Sequence, residues 1–198
     1  DREVLALMKG CGITPTGFRN RALLVLLYRA GLRIGEALAL HPRDLNLDKG
    51  EIRIMHGKGD RSRVVGIDPA GAAVVARWME KRAKRRNIRG EPLPPEAPVI
   101  CTLAGGPIAP PYVRRLMKRL ARKAGIDRRV HAHGLRHTHA AQLRAEGVDI
   151  GIISKQLGHR SILTTIKYLD HIAPVQVVKA IREREWPLVS PSAKGNTP

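Results

Sequence analysis

The sequence predicts a mainly α-helical domain with a small three-stranded antiparallel sheet on one side. Most apolar residues recur at helical spacing, while residues 51–67 alternate with period two around a glycine-rich turn. The chain has 198 residues, 43% of them hydrophobic, enough for one substantial core. With one Phe, two Trp and three Tyr, that core must be mostly Leu, Ile, Val and Ala.

The elements follow in chain order. Residues 1–9 read as a short helix with Val4, Leu5 and Met8 on one side. Thr16 is the candidate cap of a second helix running through residues 21–28, which is apolar nearly all round and therefore expected to be buried. Gly31 ends it, and residues 33–40 form a further short helix stopped by Pro42. Residues 51–56 and 62–67 are strands joined by the hairpin Gly57-Lys58-Gly59-Asp60. Helical spacing returns over 71–86. A proline-rich loop follows, and residues 99–102 are the candidate third strand. The remainder reads as helices at 112–124, 134–146, 150–157, 161–169 and 174–185. The polar tail over 190–198 is expected to be disordered.

Charge narrows the function classes. Thirty-six Lys and Arg oppose seventeen Asp and Glu, a net charge of +19 and a pI near 11.1. Self-repulsion on that scale calls for a polyanionic partner, with nucleic acid ahead of an anionic membrane. No apolar run approaches the roughly 20 residues of a spanning helix, and no signal-peptide pattern opens the chain. The two cysteines, Cys11 and Cys101, have no metal-type spacing and make no disulfide framework. A cytoplasmic location is expected.

Four segments hold polar residues in places that packing alone does not explain. In G-L-R-I-G-E-A-L (31–38), Arg33 and Glu36 stand three apart among apolar neighbours. A guanidinium oriented by a carboxylate makes a rigid fork for phosphate oxygens; a surface ion pair, or a helix-turn-helix with Gly31 in its turn, fits the same residues. In H-G-K-G-D-R-S-R (56–63), glycines flank Lys58, whose ammonium at a hairpin tip is either a general acid or simply solvated. In H-A-H-G-L-R-H-T-H (131–139), four histidines invite a metal, but no nearby carboxylate or cysteine completes a ligand set. A helix starting near Gly134 would put His133 and Arg136 at its N-terminal end, which suits a phosphate. In L-G-H-R-S-I-L-T-T-I-K-Y (157–168), Gly158 ends one helix, Ser161 can cap the next, and Tyr168 falls about two turns into it.

Together, in this order and spacing, the four segments resemble the tyrosine recombinase, or phage integrase, family, over roughly residues 1–185. The resemblance implies the catalytic-domain fold of that DNA breaking-rejoining class, over 1–186, with an N-terminal DNA-clamping domain outside this chain and a tail at 187–198. It implies that Tyr168 attacks the scissile phosphate, Arg33 and Arg136 clamp its non-bridging oxygens, and Lys58 protonates the leaving 5′-oxygen. His133 would assist proton transfer, His159 would hydrogen-bond the phosphate, and Glu36 would support Arg33. The partner implied is double-stranded DNA, with no metal and no cofactor. Helix 174–186 would join four protomers on paired sites. Departures are Gly134 where Asp is usual, expected to loosen the turn holding His133, His139 where an aromatic is usual, and Leu169-Asp170 after the tyrosine.

The residues support that chemistry independently. A phosphotyrosine conserves the energy of the cut bond, so rejoining needs no nucleotide, and no G-x-x-x-x-G-K-[ST] loop is present. Arg114, Arg115, Lys118, Arg119, Arg122 and Lys123 crowd one helix, and at least half should face outward for phosphate contact. Lys81, Arg82, Lys84, Arg85 and Arg86 form a second basic cluster. The alternatives are a non-catalytic DNA-binding module, a topoisomerase-like enzyme and a metal hydrolase.

Overall fold

A computed structural model describes residues 2–55, 62–87, 89–159 and 161–169, with Tyr168 described by its main chain. The helices are α1 (Arg2–Gly10), α2 (Pro15–Tyr28), α3 (Ile34–Ala39), α4 (Pro69–Ala83), α5 (Pro110–Lys123), α6 (Ala132–Ala145), α7 (Ile150–Leu157) and α8 (Ile162–Leu169). The strands β1 (Leu45–Asn46), β2 (Glu51–Ile54) and β3 (Arg63–Gly66) pair antiparallel in the order β1-β2-β3. The fold is the one the sequence predicts, a helical domain with a three-stranded antiparallel sheet. The third strand is not residues 99–102, however. Those residues are buried at Val99, Ile100 and Cys101, but among the described residues their only bridge joins Cys101 to Pro107. A short apolar run is buried in either setting, so hydrophobicity alone did not decide its pairing.

Helix α2 is the central post. Ala22 through Tyr28 are all buried, and α4, α6 and α3 pack around it. Its cap is Thr14, not Thr16: the Thr14 hydroxyl accepts from the Gly17 amide at 3.2 Å, with Pro15 in the first turn. Two of its polar residues, Arg19 and Asn20, are internal as well. Buried Arg19 donates to the Cys101 carbonyl, Asn20 and the Tyr112 hydroxyl.

The inward face of the sheet carries Ile52, Ile54 and Val65, set by the register Ile52 to Val65 and Ile54 to Arg63. That alternation also turns Arg63 inward. A smaller apolar cluster of Ala140, Ile153, Leu157 and Leu169 joins α6, α7 and α8 beside the main core. Among the described residues no helix is long and apolar enough to cross a membrane. Helix 174–186, the tail and the hairpin tip at 56–61 lie outside the described residues.

Candidate active site

Arg33 is the N-cap of α3, in extended conformation, so its side chain and amide both face the first turn. The amide donates to Glu36 Oε2 at 2.8 Å, and Nη1 donates to Oε1 at 2.9 Å. Arg63 of β3 grips the same carboxylate with both Nη atoms at 2.9 Å. Burial alone would raise the Glu36 carboxyl, yet the bonds from Arg63 and Arg33 bring it down to about 2. Glu36 is thus a buried anion that fixes two guanidiniums, one on the helix and one on the stem of the Lys58 hairpin. Arg63 escaped the sequence reading. The available signal was its place on the inward face of β3, where a cation requires a carboxylate.

Arg136, on the second turn of α6, is 2% exposed. Its Nη1 donates to the Gly31 carbonyl and its Nη2 to the Leu157 carbonyl. It therefore ties the loop before Arg33 to the loop before His159. Nη2 also lies 3.4 Å from His159 Nε2, and Arg33 Nη2 reaches the Gly158 carbonyl at 3.4 Å. Both arginines and His159 thus converge on residues 157–159. Gly158 ends α7 in the left-handed conformation, φ 63°. A Cβ there would stand 2.6 Å from Arg63 Nε, so backbone conformation and close packing both require glycine. Burial first, then Arg136, Arg33, Arg63 and His133, push the His159 imidazole down to about 4. It is neutral at neutral pH.

Helix α6 starts at Ala132, two residues earlier than expected, because His131 caps it. Its Nδ1 accepts from the Gly134 amide at 3.0 Å. A Cβ on Gly134 would make only ordinary contacts with the His131 ring, at 3.5 Å. The turn holding His133 is therefore capped, not loosened, despite the glycine. His133 stacks on His131, ring centroids 6.3 Å apart. Desolvation, then Arg136, His131 and Arg33, lower its pKa below 6.5, leaving the form that accepts a proton. His139 faces the other way, buried against Gly31: a Cβ on that glycine, at φ 64°, would meet His139 Cδ2 at 2.5 Å. Among the described residues, no three His, Cys, Asp or Glu are gathered as a metal would need.

Tyr168 lies in the last turn of α8, three residues after Thr165. Of the other tyrosines, Tyr28 is 5% exposed in the core and the Tyr112 hydroxyl is engaged by Arg19 and Asn20. Lys58 lies outside the described residues, but the strand after it is anchored twice. Arg63 holds Glu36, and Gln156 of α7 exchanges hydrogen bonds with both the Gly66 amide and carbonyl, at 2.9 and 2.8 Å.

All six cations of α5 are exposed. Arg114, Lys118 and Arg122, at i, i+4 and i+8, line a groove of about 550 Å³ that Ile34 and His131 also border. On the other side, Lys123 reaches back to the Gly10 carbonyl at 3.3 Å. In the second basic cluster, Arg82 is buried and donates to the carbonyls of Ala97 and Pro98. That cation serves the fold.

Residues 1–173 match the profile of the phage integrase family. The chain belongs to the phage integrase family. Among curated relatives, tyrosine recombinase XerC of Xanthomonas campestris pv. campestris is 38% identical over 177 residues, 87% of this chain and 52% of the relative. Tyrosine recombinase XerC of Xylella fastidiosa is 35% identical over 155 residues, covering 78% and 49%. The chain spans about half the length of the curated relatives it matches. The XerA recombinase crystal structure has the same fold, with TM-score 0.76 at 24% identity over 93% of this chain and 64% of that one. XerH bound to its difH substrate before cleavage gives 0.69 at 25% identity, covering 92% and 53%. The catalytic domain of bacteriophage HP1 integrase gives 0.57 at 20%, with 92% of both chains covered. The integrase-family fold therefore brings Arg33, Glu36, Arg136 and His159 together, beside the helix that carries Tyr168.

Proposed function

We propose that residues 1–186 are the catalytic domain of a site-specific DNA recombinase that cuts and rejoins duplex DNA through a 3′-phosphotyrosine at Tyr168. The observation that carries this reading is the convergence of Arg33, Arg136 and His159 on residues 157–159, immediately before α8. Two guanidiniums, prearranged by Glu36 and by main-chain carbonyls, meet the charge that accumulates on a phosphoryl group in displacement. Relatives named tyrosine recombinases, and XerH solved with difH, support DNA as the partner.

In this mechanism Tyr168 Oη attacks phosphorus, its proton passes to His133, and the bond to the 5′-oxygen breaks. Lys58 protonates that oxygen, and His159 and the arginines hold the non-bridging oxygens. A 5′-hydroxyl later attacks the phosphotyrosine, restoring the diester and freeing Tyr168. The row Arg114, Lys118 and Arg122 holds the DNA backbone, with Arg115, Arg119 and Lys123 beside it. Helix 174–186 links four protomers on two sites.

The test is a nicked suicide duplex, recovered from a random pool, incubated in EDTA and resolved on a denaturing gel. A covalent adduct with the wild-type chain that disappears in Tyr168→Phe is expected, with DNA binding retained. An adduct that survives in Tyr168→Phe overturns the nucleophile assignment. Binding without any adduct favours the non-catalytic module.

A further inference from the structure

His159 is held at both ring nitrogens. Nε2 lies 3.4 Å from Arg136 Nη2, and Nδ1 lies 2.8 Å from the Thr165 hydroxyl. Thr165 is fully buried and sits in α8, three residues before Tyr168. A guanidinium only donates, so in this arrangement Nε2 must be the acceptor and the ring proton sits on Nδ1, donated to Thr165 Oγ1. A phosphate oxygen, however, only accepts. For His159 to bond it through Nε2, that nitrogen must carry the proton, and Nδ1 then needs a donor. A hydroxyl both donates and accepts, and rotates to suit. Among uncharged buried partners, only such a group satisfies both tautomers without the ring moving.

We propose that Thr165 is a positioning residue that holds Nδ1 of His159 in either tautomer, so that the ring can move its proton from Nδ1 to Nε2 when a phosphodiester enters. In the free chain Thr165 accepts from Nδ1–H, and Nε2 accepts from Arg136. When the phosphate draws the Arg136 donor, one proton leaves Nδ1 and one arrives at Nε2 by exchange with water. The ring stays neutral, Nε2–H donates to the phosphate, and the Thr165 hydroxyl turns to donate to Nδ1. The low pKa of His159 fits a ring that works with a single proton. Because Thr165 and Tyr168 share α8, the second partner of His159 is present only when the nucleophile helix is seated. This inference rests on the phosphate-binding reading of the site.

Two measurements test it. The first is a ¹⁵N–¹H long-range correlation spectrum of the free chain, with the His159 ring assigned by its loss in His159→Ala. The proton is expected on Nδ1 in wild type and Thr165→Ser, because Arg136 donates to Nε2 and the hydroxyl accepts from Nδ1–H. A wild-type ring protonated on Nε2 overturns the proposal, and this readout stands even if the chain cuts no DNA. The complex of Tyr168→Phe with the nicked duplex is expected to show the proton on Nε2; an unchanged Nδ1–H there overturns the switch. The second is adduct formation. Thr165→Val is expected to slow it about 10- to 100-fold, the scale for removing the outer partner of a functional histidine, and Thr165→Ser to recover most of the rate. In a His159→Ala background Thr165→Val should add less than about twofold, since coupled residues are not additive. An equal loss in both backgrounds would mean that Thr165 only packs α8. Should Thr165→Val fail to fold, Thr165→Ala carries the same comparison.

Discussion

The two arginines of the site are built differently, and substitution should separate them. Arg33 keeps about a third of its side chain exposed (34%), and its Glu36 partner is also held by Arg63. Arg33→Ala is therefore expected to cost on the order of 2–4 kcal/mol of transition-state stabilisation with little loss of folding stability. Arg136 is buried and satisfies the Gly31 and Leu157 carbonyls. Arg136→Ala should cost the same catalytic term and also about 1–3 kcal/mol of stability for each buried carbonyl left unpaired. Adduct rates and urea midpoints measured together check this. Equal midpoints for the two variants would contradict the structural role of Arg136.

At the scale of elements, α8 is the lightly held piece. Leu169 and Thr165 are buried, while Ile162, Leu163 and Ile166 are exposed. One buried leucine contributes about 1.5–3 kcal/mol, so α8 is expected to open more readily than the α2 core. Leu169→Ala should speed amide exchange in α8 and slow adduct formation while protection in α2 stays unchanged; parallel losses in both helices would show that α8 belongs to the main cooperative unit. Helix α5 gives a second element-level expectation. Alanine at Arg114, Lys118 or Arg122 should each lower the slope of log affinity against log salt by about 1. Lys123→Ala, tied to Gly10, should do less; an equal effect would remove the distinction between the two sides of the helix.

For the whole molecule, depressed histidines, His139 and His159 foremost, and the buried Glu36 set the response to acid. Burial, then Arg29 and Arg136, hold His139 at about 4 against an ordinary 6.5. A depressed histidine means the unfolded chain binds the proton first, so stability is full above 6.5 and falls as pH drops toward 4, on the order of 3 kcal/mol. Glu36, at about 2 against 4.5, adds a second loss in the same direction as pH falls from 4.5 toward 2. Stability should therefore decline in two windows. His139→Asn is expected to reduce the slope of the upper window, which His159 shares, and to leave the lower one unchanged; an unchanged slope of urea midpoint between pH 6.5 and 4.5 would sink that assignment.

The sequence by itself determined the helical class, the hairpin and the family. Those rest on local periods and on side chains quoted in order: the apolar run of α2, the alternation of β2 and β3, and the boxes around Arg33, Arg136 and His159. It also marked Glu36 as the support of Arg33, because three-residue spacing on a helix is a local geometry. What lay across long sequence separations was decided only by the tertiary structure. Residues 99–102 read as a strand because burial and pairing look alike in one dimension, whereas the real third strand, Leu45–Asn46, is too short to show a period. Arg63 to Glu36, Arg136 to the Gly31 carbonyl and Gln156 to Gly66 join segments 27, 105 and 90 residues apart. No local pattern encodes them. Such bonds exist because a buried guanidinium, carboxylate or carbonyl must find a partner, and packing alone decides which one stands within reach.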